Sequence, residues 1–350
     1  MKKKRELKIG KLYLGGNNPI RVESMLKAPP EDIQTNIEQL KKLEEAGCEL
    51  VRVSIPNRKA LILYRELKKV STLPLMGDMH FSASLLQESI EEGMEAVRIN
   101  PANIPRENLV KLIPLLKERE VVVRIGVNSA SFHPPLPRGE EGAQKMIDVA
   151  VEWIKEFQKK GHHHLLISLK SSDVLTTILA NLKISELFDY PIHIGITEAG
   201  MGKEGIVKSS VGLGILLYQG IGDTVRVSLT GPPEEEVQVA YYILRTLGLR
   251  EYGPEIISCP QCGRSRINVE ALVKKLKKNI EGKWRELSGL RIAIMGCEVN
   301  GPGEAQEADI GIAGGKKHLY LFKKGKIFDK LPENEAWEVF LKELGKLTRC

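Results

Sequence analysis

Between residues 20 and 249 the chain alternates short runs rich in valine, isoleucine and leucine with longer segments of helical periodicity. The short runs fall at 20–24, 50–54, 73–78, 96–100, 121–127, 164–169, 192–197 and 224–229, and amphipathic segments such as 32–46 and 146–159 lie between them. Repeated strand, helix, strand succession favours parallel strands with helical crossovers over an antiparallel meander. Eight such units predict a TIM (β/α)8 barrel, an α/β fold. The alternative is a doubly wound sheet, but no glycine-rich dinucleotide loop follows 20–24. Gly212-Leu-Gly214 lacks the remaining glycine and a preceding strand, and reads as a loop-to-helix transition instead of a phosphate cradle. Ahead of the first strand, residues 8–20 read as a small hairpin.

The rhythm ends after a helix through 241–249, where Gly253-Pro254 introduces a region with a CxxC and many glycines. This places a boundary near residue 250, with a barrel over 1–250 and a smaller α+β domain over 251–350. The second part predicts a lysine-rich helix after Asn268, strands at 291–295 and 309–313, a hairpin around Lys323-Lys-Gly-Lys and a last helix from Glu333. About 100 residues suffice for such a domain.

Hydrophobic residues make up 42% of the 350 positions and charged ones 28%, an ordinary globular balance. No apolar run approaches the roughly 18 residues of a membrane span, and no apolar stretch follows the basic opening Met1-Lys-Lys-Lys-Arg as a secretory signal requires. The expected location is the cytoplasm, where five cysteines do not pair as structural disulfides. The net charge of +7 is spread through lysine-rich helices and aromatics are only 5% of the chain, which argues against nucleic acid. An acidic small molecule or an acidic protein partner suits the positive excess better.

Side chains alternate between the faces of a strand, so the parity of polar residues marks the face that carries chemistry. Arg52 and Ser54, Asp78 and His80, Arg98 and Asn100, Arg124 and Asn128, Ser168 and Lys170, His193 and Thr197, and Arg226 and Ser228 each share a face. In a barrel this set points inward and, lying toward the C-terminal strand ends, gathers where TIM-barrel sites are built. The competing arrangement is an antiparallel sheet with its polar face in water. Arginine recurs in the set, and its planar fork suits phosphate oxygens, so the implied ligand is a phosphate or diphosphate. Any one of these arginines could instead form an ion pair with Asp78 or Asp223. Lys208 could add a phosphate contact from a loop, and Glu198, directly after the seventh run, is the best carboxylate for acid-base work if partly desolvated. His162-His-His164 precedes a strand and reads as a surface or core feature in preference to a metal cluster.

Cys259-Pro-Gln-Cys262-Gly taken alone is a zinc-ribbon knuckle. A ribbon needs a second knuckle, yet Cys297 has no partner two residues away, Cys350 ends the sequence and Cys48 sits in the barrel. A zinc site completed by His318 remains open, as does an iron-sulfur cluster on Cys259, Cys262 and Cys297, the last in a Gly/Pro-rich turn whose N–H groups could serve cluster sulfides. Three thiolates leave one iron of a [4Fe-4S] cluster without sulfur, and the nearest oxygen ligand, Glu304, would be hard and exchangeable there.

The motifs Gly77-Asp-Met-His-Phe, Arg98-Ile-Asn-Pro-Ala-Asn-Ile, Arg124-Ile-Gly-Val-Asn, Thr197-Glu-Ala-Gly, Gly220-Ile-Gly-Asp-Thr-Val-Arg-Val-Ser, Ser258-Cys-Pro-Gln-Cys, Met295-Gly-Cys and Ala308-Asp-Ile-Gly-Ile-Ala-Gly-Gly together resemble the 4-hydroxy-3-methylbut-2-enyl diphosphate synthase family of the non-mevalonate isoprenoid pathway, over nearly the whole chain. The resemblance implies an oxidoreductase acting on CH or CH2 groups, with a TIM barrel that binds 2-C-methyl-D-erythritol 2,4-cyclodiphosphate and a sulfite/nitrite-reductase-like domain carrying a [4Fe-4S] cluster. It implies Cys259, Cys262, Cys297 and Glu304 as cluster ligands and Glu198 as the acid-base group. Arg52, Asp78, His80, Arg98, Arg124, Asn128, Lys170, Thr197, Lys208 and Ser228 are the implied substrate-binding set. It further implies ferredoxin or flavodoxin as electron donor, and a homodimer in which one subunit's cluster domain closes over the other's barrel. The chain departs from the family pattern at Glu23, where glutamine is usual, at Leu26, where threonine is, and at Ala102, where glycine is common. The competing class is a zinc-ribbon binding module on a barrel, without redox chemistry.

Overall fold

The computed structural model of the chain describes residues 4–79, 82–298, 303 and 305–347. His80, Glu304 and Cys350 lie outside the described residues. Contacts divide the chain into two units, 1–250 and 251–350.

The first unit opens with a hairpin of β1 (Glu6–Ile9) and β2 (Leu12–Gly15), earlier in the chain than the sequence suggested. Then follow β3 (Arg21–Met25), α1 (Ile33–Glu45), β4 (Leu50–Ile55), α2 (Arg58–Val70), β5 (Leu75–Met79), α3 (Ala83–Glu91), β6 (Ala96–Ile99), α4 (Arg106–Glu118), β7 (Val122–Asn128) and α5 (Glu140–Lys159). The series ends with β8 (Leu165–Lys170), α6 (Val174–Leu187), β9 (His193–Ile194), α7 (Gly202–Tyr218), β10 (Thr224–Val225) and α8 (Pro233–Thr246). Side-chain caps start several helices: Asp32, Asn57, Ser82 and Asp173 each accept the backbone N–H three residues on. The strands run parallel in the order β8-β7-β6-β5-β4-β3-β10-β9, and a parallel bridge from Ile167 to Ile192 closes the ring. This is the expected barrel. Strands seven and eight are only two residues long as regular structure, and past Val225 one further backbone hydrogen bond joins them, Arg226 N–H to Ile194 O at 3.0 Å.

The interior is layered by the two-residue period of the strands. Leu50, Met76, Ala96, Val122 and Leu166 form one level and pack against Leu7, Ile9 and Leu14 of the hairpin, which plugs the N-terminal end of the barrel. Two residues further along β4 to β7 stand Arg52, Asp78, Arg98 and Arg124. Alternate positions such as Val51, Val53, Val97, Val123 and Ile167 are buried on the other face, toward the helices.

Two expectations fail on α7. Lys208 sits within this helix, not on a loop, and Gly212 and Gly214 lie in its interior instead of at a loop-to-helix transition. The glycines lower local helix propensity, which hid the helix from a reading by composition.

The second unit contains β11 (Glu255–Ser258), α9 (Val269–Asn279), β12 (Arg291–Met295), β13 (Ile310–Gly314), β14 (Leu319–Lys323), β15 (Lys326–Leu331) and α10 (Glu333–Gly345). Its sheet has the order β11-β12-β13-β14-β15, the first three strands parallel and β14 antiparallel to both of its neighbours. Ile292, Ile294, Ile310, Ile312, Leu319 and Leu321 pack with Leu276 of α9 and Trp337 and Phe340 of α10. The opposite face is thinner and carries Ala293, Met295, Ala313 and Phe322. β11 was missed in the sequence, since four residues after Gly253-Pro254 read as part of the boundary.

Leu14 is fully buried in the plug, whereas Tyr13 beside it is 41% exposed. Leu14→Ala should destabilise the barrel by about 2–5 kcal/mol, and Tyr13→Ala by no more than about 0.5 kcal/mol. Urea midpoints followed by far-UV circular dichroism check the contrast.

Candidate active site

The level above the plug is charged. Arg124 has no exposure and Glu23 none, and Arg124 Nη1 donates to Glu23 Oε2 at 2.5 Å. Arg52 lies 3.9 Å from Glu23 and 3.3 Å from Asp78, and Arg98 donates to Asp78 at 3.2 Å. Lys170 Nζ meets His193 Nε2 at 2.7 Å, and His193 Nδ1 meets Thr224 Oγ1 at 2.6 Å. Arg226 is held by Glu236 of α8 through contacts of 3.1 and 3.3 Å, and the same carboxylate takes Lys27 at 2.9 Å and Ser24 Oγ at 2.9 Å. Five cations, Arg52, Arg98, Arg124, Lys170 and Arg226, thus share the interior with Glu23, Asp78 and Glu236. Arg124 Nη2 and Glu23 Oε1 are buried without a hydrogen-bond partner. One arm of the arginine fork is left for another acceptor.

The electrostatics follow from that crowding. Burial works to raise the Glu23 carboxyl, but Arg124 and Arg52 outweigh it and hold the group below its ordinary value. Burial pushes the Arg124 guanidinium down to about 10, and Glu23 only partly opposes this. Burial, Arg52 and Arg124 drive Lys170 well below the ordinary lysine value. An added anion would relieve the two cations.

Two inward glycines make the arrangement possible. A Cβ on Gly126 of β7 would fall 2.4 Å from Arg98 Nε, and one on Gly195 would fall 2.7 Å from Lys170 Nζ. Their missing side chains are the space through which the cationic chains cross.

Of the residues expected at the site, Arg52, Asp78, Arg98, Arg124 and Lys170 are brought together, and Asn128 is the ladder partner of Lys170. Thr197 and Ser228 are half-buried beyond the regular ends of β9 and β10, and Lys208 is half-buried on α7. Glu198 is exposed, not desolvated, and takes a φ of 51°, a left-handed conformation that costs a side-chain-bearing residue energy and occurs often at functional positions. No hydrogen bond or ion pair joins Thr197, Glu198, Lys208 or Ser228 to the cation network among the described residues. Among the described residues Asp223 does not pair with an arginine side chain; its carboxylate accepts the Ile192 N–H at 2.7 Å. Sequence reasoning missed Glu23 and Glu236 as counterions and Gly126 and Gly195 as vacated positions. The parity of Glu23 with Met25 on β3 was the available signal for the first. His162 is buried with its ring 5.5 Å from that of Phe157, and burial lowers its pKa to about 4, as befits a core position.

In the second unit, β11 runs into Cys259 and β12 into Gly296 and Cys297, so two of the three cysteines leave the C-terminal ends of adjacent parallel strands. The Gly296 N–H donates to Cys259 Sγ at 3.0 Å, and a Cβ at Gly296 would stand 2.5 Å from Ser265 Oγ and 3.2 Å from that sulfur. The knuckle folds back through Ser265 N–H to Cys262 O at 2.9 Å and Arg266 N–H to Gly296 O at 2.7 Å. Cys262 is exposed, and Arg264 lowers its thiol pKa through backbone and side-chain hydrogen bonds. No three His, Cys, Asp or Glu side chains converge as a metal site among the described residues. His318 stacks edge-on to Tyr320, with ring centroids 4.6 Å apart. The donor set nevertheless fits an iron-sulfur cluster: three soft thiols, with a backbone N–H already directed at one sulfur and no side chain at Gly296 to block approach.

Fold and site together define a β/α barrel with a cation-rich interior, joined to a small α+β unit in which Cys259 and Cys297 follow the ends of adjacent strands. Residues 4–241 match the GcpE TIM-barrel domain and residues 255–346 the GcpE protein C-terminal domain, and the chain belongs to this GcpE family. A protein of Caldanaerobacter subterraneus subsp. tengcongensis is 45% identical over 348 residues, covering 99% of this chain and 97% of that one. One of Aquifex aeolicus is 44% identical over 351 residues, covering 99% and 98%. One of Maridesulfovibrio salexigens is 47% identical over 353 residues, covering 98% of each. All three bear the name 4-hydroxy-3-methylbut-2-en-1-yl diphosphate synthase (flavodoxin). Among solved structures, the Yersinia pestis dihydropteroate synthase with a sulfonamide drug superposes with a TM-score of 0.54 at 13% identity, covering 70% of this chain and 100% of that one. The dihydropteroate synthase of Stenotrophomonas maltophilia gives 0.54 at 14% identity, covering 69% and 97%. These two likenesses concern the fold alone.

Gly126→Ala should force Arg98 aside and cost about 1–3 kcal/mol. Combined with Arg98→Ala, the two changes should cost less than their sum by about 0.5–3 kcal/mol in a double-mutant cycle of unfolding midpoints. Glu23→Leu leaves the Arg124 charge uncompensated and should cost about 3–5 kcal/mol near neutral pH. Because the folded carboxyl titrates below its unfolded value of about 4.3, its stabilisation is complete above that pH and is lost as pH falls through the lower folded value. The gap between wild type and Glu23→Leu should therefore hold from about pH 7 down to about pH 5 and narrow in stronger acid.

Proposed function

We propose that the protein is a 4-hydroxy-3-methylbut-2-en-1-yl diphosphate synthase, converting 2-C-methyl-D-erythritol 2,4-cyclodiphosphate to 4-hydroxy-3-methylbut-2-enyl diphosphate in isoprenoid biosynthesis. The reaction is a reductive ring opening: two electrons and two protons enter, and one hydroxyl leaves as water. The observation that carries the reading is the buried surplus of cations in the barrel, with a free arm on Arg124. A cyclic diphosphate supplies the anionic oxygens that such a cavity lacks.

Arg52, Arg98, Arg124 and Lys170 hold the diphosphate, with Asp78 orienting the first two arginines through its two oxygens. Asn128, Thr197, Lys208 and Ser228, together with His80, complete the substrate contacts in this reading. Glu198 moves a proton at the departing hydroxyl, a role supported by its place directly after the seventh strand at the barrel mouth and by its left-handed backbone. Cys259, Cys262, Cys297 and Glu304 hold a [4Fe-4S] cluster. When bound, that group supplies electrons one at a time and an exchangeable coordination position on the iron that lacks a thiolate. Flavodoxin, named with the relatives, or ferredoxin is the donor. The working form is a cytoplasmic homodimer, one subunit's cluster domain serving the other's barrel. Among the described residues no helix is long and apolar enough to cross a membrane.

Protein purified without oxygen should contain about four iron and four sulfide per chain and develop an EPR signal with dithionite. Cys297→Ser should lose the iron, while Glu304→Ala should keep a cluster and lose most turnover. Stoichiometric zinc without iron or sulfide would instead establish the zinc-ribbon reading.

A further inference from the structure

Among the side chains that face the barrel interior, His193 has so far no part in the reaction. Its ring is fully buried on β9, between Lys170 Nζ at 2.7 Å from Nε2 and Thr224 Oγ1 at 2.6 Å from Nδ1, with Glu23 Oε2 3.6 Å from Nδ1. When Lys170 is an ammonium it has only donors, so Nε2 then accepts from it and the one ring proton sits on Nδ1, directed at Thr224. Burial, followed by Lys170 and Arg124, holds the imidazole neutral by pushing its pKa well down. Lys170 is faced by Glu23 on β3, Arg52 on β4, Arg124 on β7, His193 on β9 and Arg226 beyond β10, and Asp78 on β5 and Arg98 on β6 join the same network through Arg52. Gly195 leaves the space that its ammonium occupies.

We propose that His193 is the positioning residue of Lys170, and that the Lys170–His193 pair takes up one proton when the diphosphate enters the barrel. By accepting one of the three ammonium N–H bonds, His193 fixes the direction of the side chain and leaves two bonds for ligand oxygens. Without an anion, burial and the neighbouring arginines oppose the lysine charge, whereas Glu23 favours it and His193 offers an acceptor to the ammonium. Negative oxygens arriving beside Arg124 and Arg52 reverse that balance, and the proton is drawn from the buffer. Below the pKa of the empty site the lysine is already charged and nothing is taken up. Above it, uptake approaches one proton and affinity falls by up to about tenfold per pH unit.

The inference rests on the diphosphate reading, and calorimetry on oxidised holoenzyme, which cannot turn over, separates the two. The cyclic diphosphate is titrated in Tris and in HEPES from about pH 7 to about pH 8.5, where both buffers can supply the proton. Buffer-dependent heat that grows with pH is expected. Binding without such heat at any pH overturns the inference alone, while no binding overturns the diphosphate reading and the inference with it. His193→Gln keeps an acceptor and should bind within about threefold of wild type with proton uptake retained. His193→Leu fills similar space without an acceptor and should raise KM at least about tenfold, with kcat within about threefold and a thermal midpoint close to that of His193→Gln. Equal impairment of both variants, or wild-type binding and pH slope in His193→Leu, overturns the positioning role. Should His193→Leu fail to fold, loss of binding or of proton uptake in His193→Gln does the same.

Discussion

Arg124 carries its charge with no contact with solvent, tied through one nitrogen to an equally buried Glu23. Removing such ions from water is expensive, and a single ion pair seldom repays the cost. The barrel tolerates the pair because it is one link of a chain: Glu23 also faces Arg52 and His193, Arg52 reaches Asp78, and Asp78 binds Arg98. Each member stands on a different strand, so the network holds only if strand register is correct. Register in turn depends on the apolar level beneath, where the N-terminal hairpin closes the barrel around Leu50, Met76, Val122 and Leu166. A fully apolar interior would be easier to build but could bind no anion.

The network is also incomplete as a set of counterions. Lys170 has a neutral imidazole for a partner, and Arg124 keeps a buried nitrogen free, while the Glu236 carboxylate is already shared by Arg226 and Lys27. Donors held in this way need little reorganisation when an anion arrives, which is the usual origin of tight and oriented binding. Glu236 adds mechanical support, since it joins β3 through Ser24 and the chain after β10 through the Leu229 N–H at 3.1 Å. The chain beyond the short β10 is thus fastened where its ladder stops.

Much of this was legible in the sequence, for reasons that can be stated. Strand parity is a local property, and it correctly put Arg52, Asp78, Arg98, Arg124 and Lys170 on one inner face. Spacing alone marked Cys259 and Cys262. What could not be read depends on contacts between residues distant in the chain. Glu23 stands 101 positions from Arg124, and its parity with Met25 marks only the face it occupies, not the arginine it meets. Gly126 and Gly195 act through the side chain they lack, which matters only once the reach of Arg98 and Lys170 is known. Glu198 was singled out for acid-base work on the premise of partial desolvation, yet it is exposed, on a residue of left-handed backbone. The α7 glycines hid a helix that tertiary packing stabilises despite low propensity.

The two units solve different chemical problems with one geometric device. A parallel strand delivers its last residues to the same end as its neighbour, so side chains remote in sequence meet there without a long loop. In the barrel this brings Asn128 level with Lys170. In the smaller sheet it brings Cys259 beside Gly296, whose N–H is directed at the sulfur, and leaves Cys297 one residue further on. The difference lies in rigidity. The barrel cations are locked by neighbours on both sides, as binding a charged ligand requires, whereas Cys262 rides an exposed turn secured by backbone hydrogen bonds from Ser265 and Arg266. A soft ligand set can use that freedom, because metal-thiolate bonds fix their own geometry once formed. Diphosphate oxygens form no such bonds and depend on donors already in place.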